Sequence, residues 1–115
     1  MPDAECLFCE IASGKSPSVK PWENKEFMAI ENIYPKAPVH LLVMPKEHVG
    51  KQMLAGVGKV GFWERMMAAV FEVIRLKGLD KTGYKLVNNG AGYNHFDHEH
   101  VHVLGGTSQE PGGVT

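Results

Sequence analysis

The sequence has little excess charge, few cysteines and no long hydrophobic run. Its 12 lysine and arginine residues oppose 13 aspartate and glutamate residues, for a formal net charge of −1. This balance argues against a protein that binds nucleic-acid backbones, since such proteins usually carry a basic excess. No apolar stretch approaches the ~20 residues of a membrane span, and the first residues lack the apolar core of a signal peptide. We therefore expect a cytoplasmic protein with no membrane or nucleic-acid partner.

The only cysteines, Cys6 and Cys9, are separated by two residues. In a cytosolic protein two close cysteines indicate metal binding or redox chemistry more than a structural disulfide. A thioredoxin-like motif is disfavoured because no βαβ pattern surrounds the pair. The alternative is that both are free thiols packed as small hydrophobes. The length of 115 residues predicts a single domain over 1–115.

Three histidines alternate with other residues near the C-terminus, at positions His98, His100 and His102. On a β-strand such side chains project from one face, roughly 7 Å apart, and the β-branched Val101 and Val103 favour a strand. Histidine titrates nearest to physiological pH. The row is therefore a candidate for acid–base, nucleophilic or metal chemistry.

The other histidines could converge on the same region. His40 lies within the apolar segment 39–44 and His48 lies just beyond it, while His95 precedes the row. If segment 39–44 neighbours the last strand, five or six imidazoles would meet. The alternatives are a metal-binding surface formed by the row itself, or chance.

The pattern of apolar residues and turn signals predicts an α+β protein. A short helix is expected from about Ala4 to Ala12, with Asp3 as its N-cap and Ser13-Gly14 as its end. One helical turn is possible near Gln52 to Ala55. Five strands are expected in antiparallel pairs: Lys20–Glu23, Phe27–Ile33, Val39–Met44, Tyr84–Asn88 and His98–Leu104. The residues 107–115 are expected to form a flexible tail.

A long helix is predicted from about Val60 to Lys77, with Gly78 as its stop. Its apolar residues fill an arc of roughly 200°, whereas packing on one sheet face needs an arc of about 100° or a little more. The excess favours a second partner for this helix, and hence a homodimer. Coverage by loops of the same subunit is the alternative.

Several motifs in order resemble those of the histidine triad (HIT) family of nucleotide-binding hydrolases and transferases. The row His98–Leu104 resembles the triad, and Leu104-Gly105-Gly106 its following "L-G-G". Ala37–His48 resembles the block "A-P-x-H-x-L-V-x-P-K-x-H", and Val87–Gly90 the strand end "x-N-x-G". Cys6–Ile11 is similar to the N-terminus of bacterial members, so the resemblance covers about residues 6–106. It is closest to the purine-nucleoside phosphoramidase (Hint-like) branch and its bacterial relatives.

The resemblance implies a five-stranded antiparallel sheet with the long helix packed on it and a dimer through that helix and a sheet edge. It also implies that His100 attacks the α-phosphorus of a nucleotide and forms a nucleotidyl-histidine that water then opens. A hydrogen bond from its other ring nitrogen to a backbone carbonyl would fix the tautomer. His102 and His40 would donate to phosphate oxygens.

The resemblance further implies a purine nucleotide such as AMP or GMP as ligand. Asn32, Ile33 and Asn88 would contact it, Asn88 at ribose or phosphate. Asn32 stands where an acidic ribose-binding residue is usual. The "G-Q-S" phosphate-contacting segment becomes Tyr93-Asn94-His95, so Asn94 and His95 would also face the nucleotide. His95 is either a general acid or a solvated loop residue.

In zinc-containing bacterial relatives, the first triad histidine joins the two cysteines and the histidine after "P-K-x". The resemblance therefore implies a structural zinc site of Cys6, Cys9, His48 and His98, closed to catalysis because all four positions are filled. Glu99 departs from the family, which has an apolar residue there. It should point away from the triad face, where a carboxylate needs a partner or solvent, so the face opposite the triad should be less covered than usual.

The leading hypothesis is a hydrolase that acts at the α-phosphate of nucleoside 5′-phosphoramidates or related AMP conjugates. A dinucleoside polyphosphate hydrolase and a non-enzymatic nucleotide-binding regulatory dimer are the alternatives, together with a metal-binding protein that uses the histidine row.

Overall fold

Five antiparallel strands form one sheet in the order β1-β2-β3-β5-β4. The computed structural model describes residues 6–50, 60–90, 93, 97–112 and 115. Within them the elements are α1 (Leu7–Ser13), β1 (Trp22–Glu23), β2 (Phe27–Glu31), β3 (Val39–Pro45), α2 (Phe62–Leu76), α3 (Leu79–Thr82), β4 (Tyr84–Val87) and β5 (Val101–Gly105). The predicted α+β class and antiparallel sheet are confirmed. No helix in these ranges is long and apolar enough to cross a membrane.

Helix α2 covers one face of the sheet. Its buried side chains recur at helical spacing and meet alternate residues of the central strands, as the periods of helices and strands require. The members from α2 are Phe62, Met66, Ala69, Val70, Val73 and Ile74, and those from β3 and β5 are Leu41, Val43, Val101 and Val103.

Helix α1 covers part of the opposite face. Phe8 and Ile11 pack there against Leu42 and Met44, which alternate along β3 with the residues that meet α2. Because both faces of β3 are covered, its sequence is apolar almost throughout. His40 is the polar exception in β3, and it is buried.

Strands β3 and β5 are paired, with His40 opposite Leu104 and Leu42 opposite His102. The condition for convergence of the histidines, that segment 39–44 neighbours the last strand, is therefore met. Strand β4 lies on the other side of β5 and forms an edge of the sheet.

The predicted boundary of the first helix is wrong. Helix α1 begins at Leu7, and Cys6, not Asp3, is its N-cap, with the sulfur accepting a hydrogen bond from the Cys9 N–H at 3.3 Å. The sequence does not indicate this cap, because serine, threonine, asparagine and aspartate dominate the N-cap position. Gly14, with φ of 89°, ends the helix as predicted.

The last strand begins at Val101, three residues later than predicted, so His98 and His100 precede it. Strand β1 and strand β2 are also shorter than predicted, and the four-residue helix α3 after Gly78 was missed. Leu79 of α3 is buried against α2 and the sheet, a tertiary contact that the local sequence pattern does not reveal. The turn predicted near Gln52 to Ala55 lies outside the described residues.

Candidate functional site

The three rings of the histidine row stay on the α1 face of the sheet although only His102 belongs to a regular strand. Phe8 packs edge-on against both His98 and His100, with ring centroids 5.6 and 5.3 Å away. The ring centroids of His100 and His102 are 5.1 Å apart, closer than the roughly 7 Å expected along a regular strand. Phe8 lies between Cys6 and Cys9 in the sequence. If both cysteines bind a metal together with His98, Phe8 must lie close to the histidine row, so its position could have been predicted.

His100 is held in one tautomer by the backbone. Its Nδ1 lies 2.8 Å from the carbonyl oxygen of His98, and the side chain is buried. A carbonyl can only accept, so Nδ1 carries the proton and donates it. Nε2 then has a lone pair. The carbonyl contact predicted for the nucleophile is confirmed.

His40 and His102 form a chain of hydrogen bonds that a backbone amide orients. The Lys36 N–H donates to Nδ1 of His40 at 3.0 Å, so in the neutral ring Nε2 carries the proton. That nitrogen lies 2.9 Å from Nδ1 of His102 and donates to it. Nε2 of His102, a buried atom, therefore carries a proton as well.

Burial keeps His40 neutral. It lowers the pKa of His40 below its ordinary value, and the positive charge of Lys36 lowers that pKa further. In neutral His40, Nδ1 accepts from the Lys36 N–H, so the single ring proton is on Nε2. The ring therefore donates its hydrogen bond to His102. The sequence offered no sign of the Lys36 amide, because the contact belongs to the backbone of a loop.

One of the two residues predicted to bind the nucleotide before β3 lies beside His40. The Asn32 amide oxygen accepts from the Tyr34 N–H at 2.9 Å, and its nitrogen lies 3.3 Å from Nε2 of His40. The other, Ile33, follows Asn32 in the chain and its side chain is 80% exposed.

Four potential metal ligands meet at the other end of the row. Nδ1 of His98 lies 3.2 Å from the Cys6 sulfur and 3.5 Å from the Cys9 sulfur, and Nδ1 of His48 lies 3.4 Å from the Cys9 sulfur. All four ligand atoms are within 4.8 Å of one another. Around tetrahedral zinc, sulfur and nitrogen ligands would be separated by roughly 3.4–3.8 Å. The geometry fits such an ion.

The protonation of His98 also suits a metal. Its Nε2 lies 2.8 Å from the Pro45 carbonyl oxygen, so Nε2 is the donor and Nδ1 turns its lone pair to the sulfurs. Burial lowers the pKa of His98 to about 4, so the ring is neutral at pH 7, the form that binds metals.

The Glu99 carboxylate has the partner that it was expected to need in place of solvent, and because the residue is buried, the expectation of a less covered face is wrong. The residue is 3% exposed. Its Oε1 accepts from Nδ2 of Asn88 at 2.7 Å and from the His100 N–H at 3.0 Å, while its own N–H donates to the Val49 carbonyl at 2.6 Å. The sequence showed the unusual carboxylate but not the partner 11 residues earlier.

Asn88 is oriented by the same contacts. Its Nδ2 donates to Glu99 and, at 3.0 Å, to the His100 carbonyl. Both partners are acceptors, which identifies the nitrogen of the amide without ambiguity. Within the described residues the amide oxygen has no hydrogen bond, so Asn88 can accept from a hydroxyl or amine of a ligand. Asn94 and His95 lie outside the described residues.

Comparisons with known proteins agree with this arrangement. A family model described as scavenger mRNA decapping enzyme C-term binding matches residues 5–114. Protein HitA of Neisseria gonorrhoeae is 33% identical over 101 residues, which cover 87% of this chain and 94% of that protein. Protein pkiA of Dictyostelium discoideum is 40% identical over 108 residues, which cover 89% of this chain and 84% of that protein.

Solved structures show the same fold. A HIT family hydrolase from Legionella pneumophila Philadelphia 1 superposes with a TM-score of 0.83 at 33% identity, covering 90% of this chain and 94% of that one. A histidine triad protein from Clostridium difficile gives 0.86 at 29% identity, covering 96% and 97%.

Proposed function

This chain belongs to the histidine triad family, and we propose that it is a hydrolase acting at the α-phosphate of purine nucleoside 5′-phosphoramidates or related AMP conjugates. One observation carries the proposal. The backbone fixes the proton of His100 on Nδ1 and so the lone pair on Nε2, and the neighbouring ring of His102 carries a proton on its own Nε2. A nucleophile and a phosphate donor thus have neighbouring rings.

His100 is the proposed nucleophile. A bond forms between its Nε2 and the α-phosphorus while the bond from phosphorus to the leaving nitrogen breaks, and that nitrogen takes up a proton from solvent and departs as a neutral amine. Water then attacks the nucleotidyl-histidine and releases the nucleoside monophosphate. Two smaller barriers replace one large barrier, and the His98 carbonyl stabilises the positive charge that develops on the ring.

His102 is the proposed donor to a non-bridging phosphate oxygen. Hydrogen-bond donors that are fixed before the reaction stabilise charge on a transferring phosphoryl group most strongly where water is excluded. His40 is proposed to act through His102, because its own N–H is directed at the His102 ring. Asn32 and Ile33 would contact the nucleoside, and Asn88 would accept from one of its hydroxyls or from the leaving amine. Asn94 and His95 remain proposed contacts on sequence grounds alone.

A structural zinc ion is proposed at Cys6, Cys9, His48 and His98. Two thiolates and two imidazoles complete a tetrahedral shell, so the ion would join α1 to the sheet. It supplies stability and takes no part in the chemistry of His100.

A homodimer is proposed through α2 and the β4 edge. Trp63 and Phe71 on α2 are 39% and 41% exposed, and Tyr84 on β4 is 45% exposed. Phe71 and Tyr84 are in edge-on contact, with centroids 6.4 Å apart. An aromatic surface beside an open strand edge is typical of an interface.

Adenosine phosphoramidate tests the proposed reaction. We expect the wild type to release AMP and His100→Ala to lose at least about a thousandfold in rate, the scale seen when a covalent nucleophile is removed. Equal release by the two proteins would refute the assignment of His100. Faster hydrolysis of a dinucleoside polyphosphate would replace the proposed substrate class, and tight AMP binding without any histidine adduct would favour a regulatory dimer.

A further inference from the structure

The nucleophile segment 98–100 lies before β5 begins, yet its backbone is held by side chains. Asn88 Nδ2 donates to the His100 carbonyl at 3.0 Å, and Glu99 Oε1 accepts from the His100 N–H at 3.0 Å. The same Nδ2 and Oε1 are joined at 2.7 Å. Both backbone polar groups of His100 therefore belong to one small network with Asn88 and Glu99.

The network connects two strands at the point where the regular pairing ends. Strands β4 and β5 are in register up to Val87 opposite His102, and Asn88 is the next residue of the chain. Its side chain replaces, for His100, the hydrogen bonds that a longer strand would have supplied. The Glu99 N–H contact with Val49 anchors the segment on its other side.

We infer that Glu99 is a positioning residue, which aims the His100 imidazole by fixing Asn88 and the His100 backbone. This inference rests on the proposed function, since it concerns the same nucleophile. Glu99 is buried, and a buried charged acceptor makes shorter and stronger hydrogen bonds than a neutral one. It takes one Asn88 hydrogen and leaves the other for the His100 carbonyl, so the amide cannot rotate without breaking both contacts.

The expected consequence is a change in kcat rather than in substrate affinity. His100 must approach the α-phosphorus in line, and a displacement of the order of 1 Å at a reacting group can cost about a hundredfold in rate. Glu99→Val has the apolar character usual in the family but removes the acceptor. We expect it to lower kcat for adenosine phosphoramidate by about tenfold to a hundredfold, with KM unchanged.

Two further variants separate positioning from folding. Glu99→Gln keeps an oxygen that can accept from Asn88 and should restore most of the rate. Asn88→Asp keeps the shape of the side chain, removes both donors and should lower kcat as Glu99→Val does. In the double variant, Glu99→Val with Asn88→Asp, the loss should be no larger than in the worse single variant, because the two residues act as one unit.

Controls identify each outcome. Glu23→Val removes a surface glutamate on β1, at the opposite edge of the sheet, and should leave kcat unchanged. A wild-type kcat in Glu99→Val, or multiplicative losses in the double variant, would overturn the inference. Loss of zinc from Glu99→Val would also overturn it, since the effect would then pass through His98. An inactive wild type would instead refute the proposed function.

Discussion

The two ends of the histidine row contain the same side chain and have different chemistry. His98, at the metal end, donates from Nε2 to the Pro45 carbonyl and presents Nδ1 to two sulfurs. His100, two residues later, donates from Nδ1 to a carbonyl and presents Nε2. The difference teaches that the hydrogen-bond partner of one ring nitrogen, not the residue type, decides which nitrogen of each imidazole keeps its lone pair.

His102 adds a third state to this comparison. Its Nδ1 accepts from His40, so its Nε2 is a donor. Under the proposed function, the three neighbouring rings would offer a lone pair to a metal, a lone pair to phosphorus and a proton to an oxygen. If the two ends of the row are independent, substitutions should abolish zinc binding without abolishing AMP release from a metal-free fold, or abolish AMP release without affecting zinc binding.

The largest expected effect is at the metal end. The double variant Cys6→Ser and Cys9→Ser should lose stoichiometric zinc, because two of four ligands are gone. Its melting temperature should fall by roughly 4 °C for each kcal/mol lost, as α1 is released from the sheet. Zinc per chain can be measured by atomic emission and melting by circular dichroism.

His100→Ala is the matched control for the metal end. It should retain one zinc per chain while losing AMP release. Full zinc in the double cysteine variant would contradict the four-ligand site and favour a metal held by the histidine row itself. Loss of zinc from His100→Ala would show that the two ends are not separable.

A smaller effect is expected from removing the backbone N–H of Lys36, which orients His40 and, through it, His102. Lys36→Pro removes the N–H that donates to Nδ1 of His40, so His40 is free to take the other tautomer and His102 loses its fixed proton. We expect AMP release to fall by about a hundredfold, the lower end of what a positioned proton donor usually contributes. Lys36→Ala keeps the N–H and should remain close to the wild-type rate. Equal losses of AMP release in both variants would assign the effect to the lysine charge. No loss in either variant would refute the role of the hydrogen-bond chain from the Lys36 N–H through His40 to His102.

The smallest effect on zinc content and AMP release is expected from a substitution on α2, which covers the other face of the sheet. Phe71→Glu places a charge in the exposed aromatic surface of α2 and should convert a dimer into a monomer, as measured by light scattering. Zinc content and AMP release per chain should change little. Glu72→Lys changes charge at the neighbouring, exposed position and should leave the dimer intact. A wild type that has the mass of one chain would refute the proposed dimer.

Much of the fold was predictable because its signals are local. The turn residues and apolar segments located all five strands, and Gly14 and Gly78 marked helix ends. The boundary of β5 was not predictable from alternation. His98, Glu99 and His100 continue the alternating pattern of a strand, but Glu99 bonds to Asn88 and Val49 instead of extending the regular pairing.

The sequence predicted the group of cysteines and histidines around His98 more completely than the contacts around His100. Cys6, Cys9, His48 and His98 were assigned by resemblance, and the structure brings them together. The role expected for Asn88 was only partly visible, since its amide hydrogens are taken by Glu99 and the His100 backbone. No local pattern shows such a contact, because its geometry depends on where β4 ends relative to β5.

The sequence by itself determined which chemical groups are available: two thiols, a row of alternating imidazoles and the apolar periods that place that row on one sheet face. Tertiary structure alone decided what each imidazole does. The deciding atoms are the Pro45 carbonyl, the His98 carbonyl and the Lys36 amide. Every residue except proline carries both such backbone groups, so only the fold can select which of them meets a given ring nitrogen.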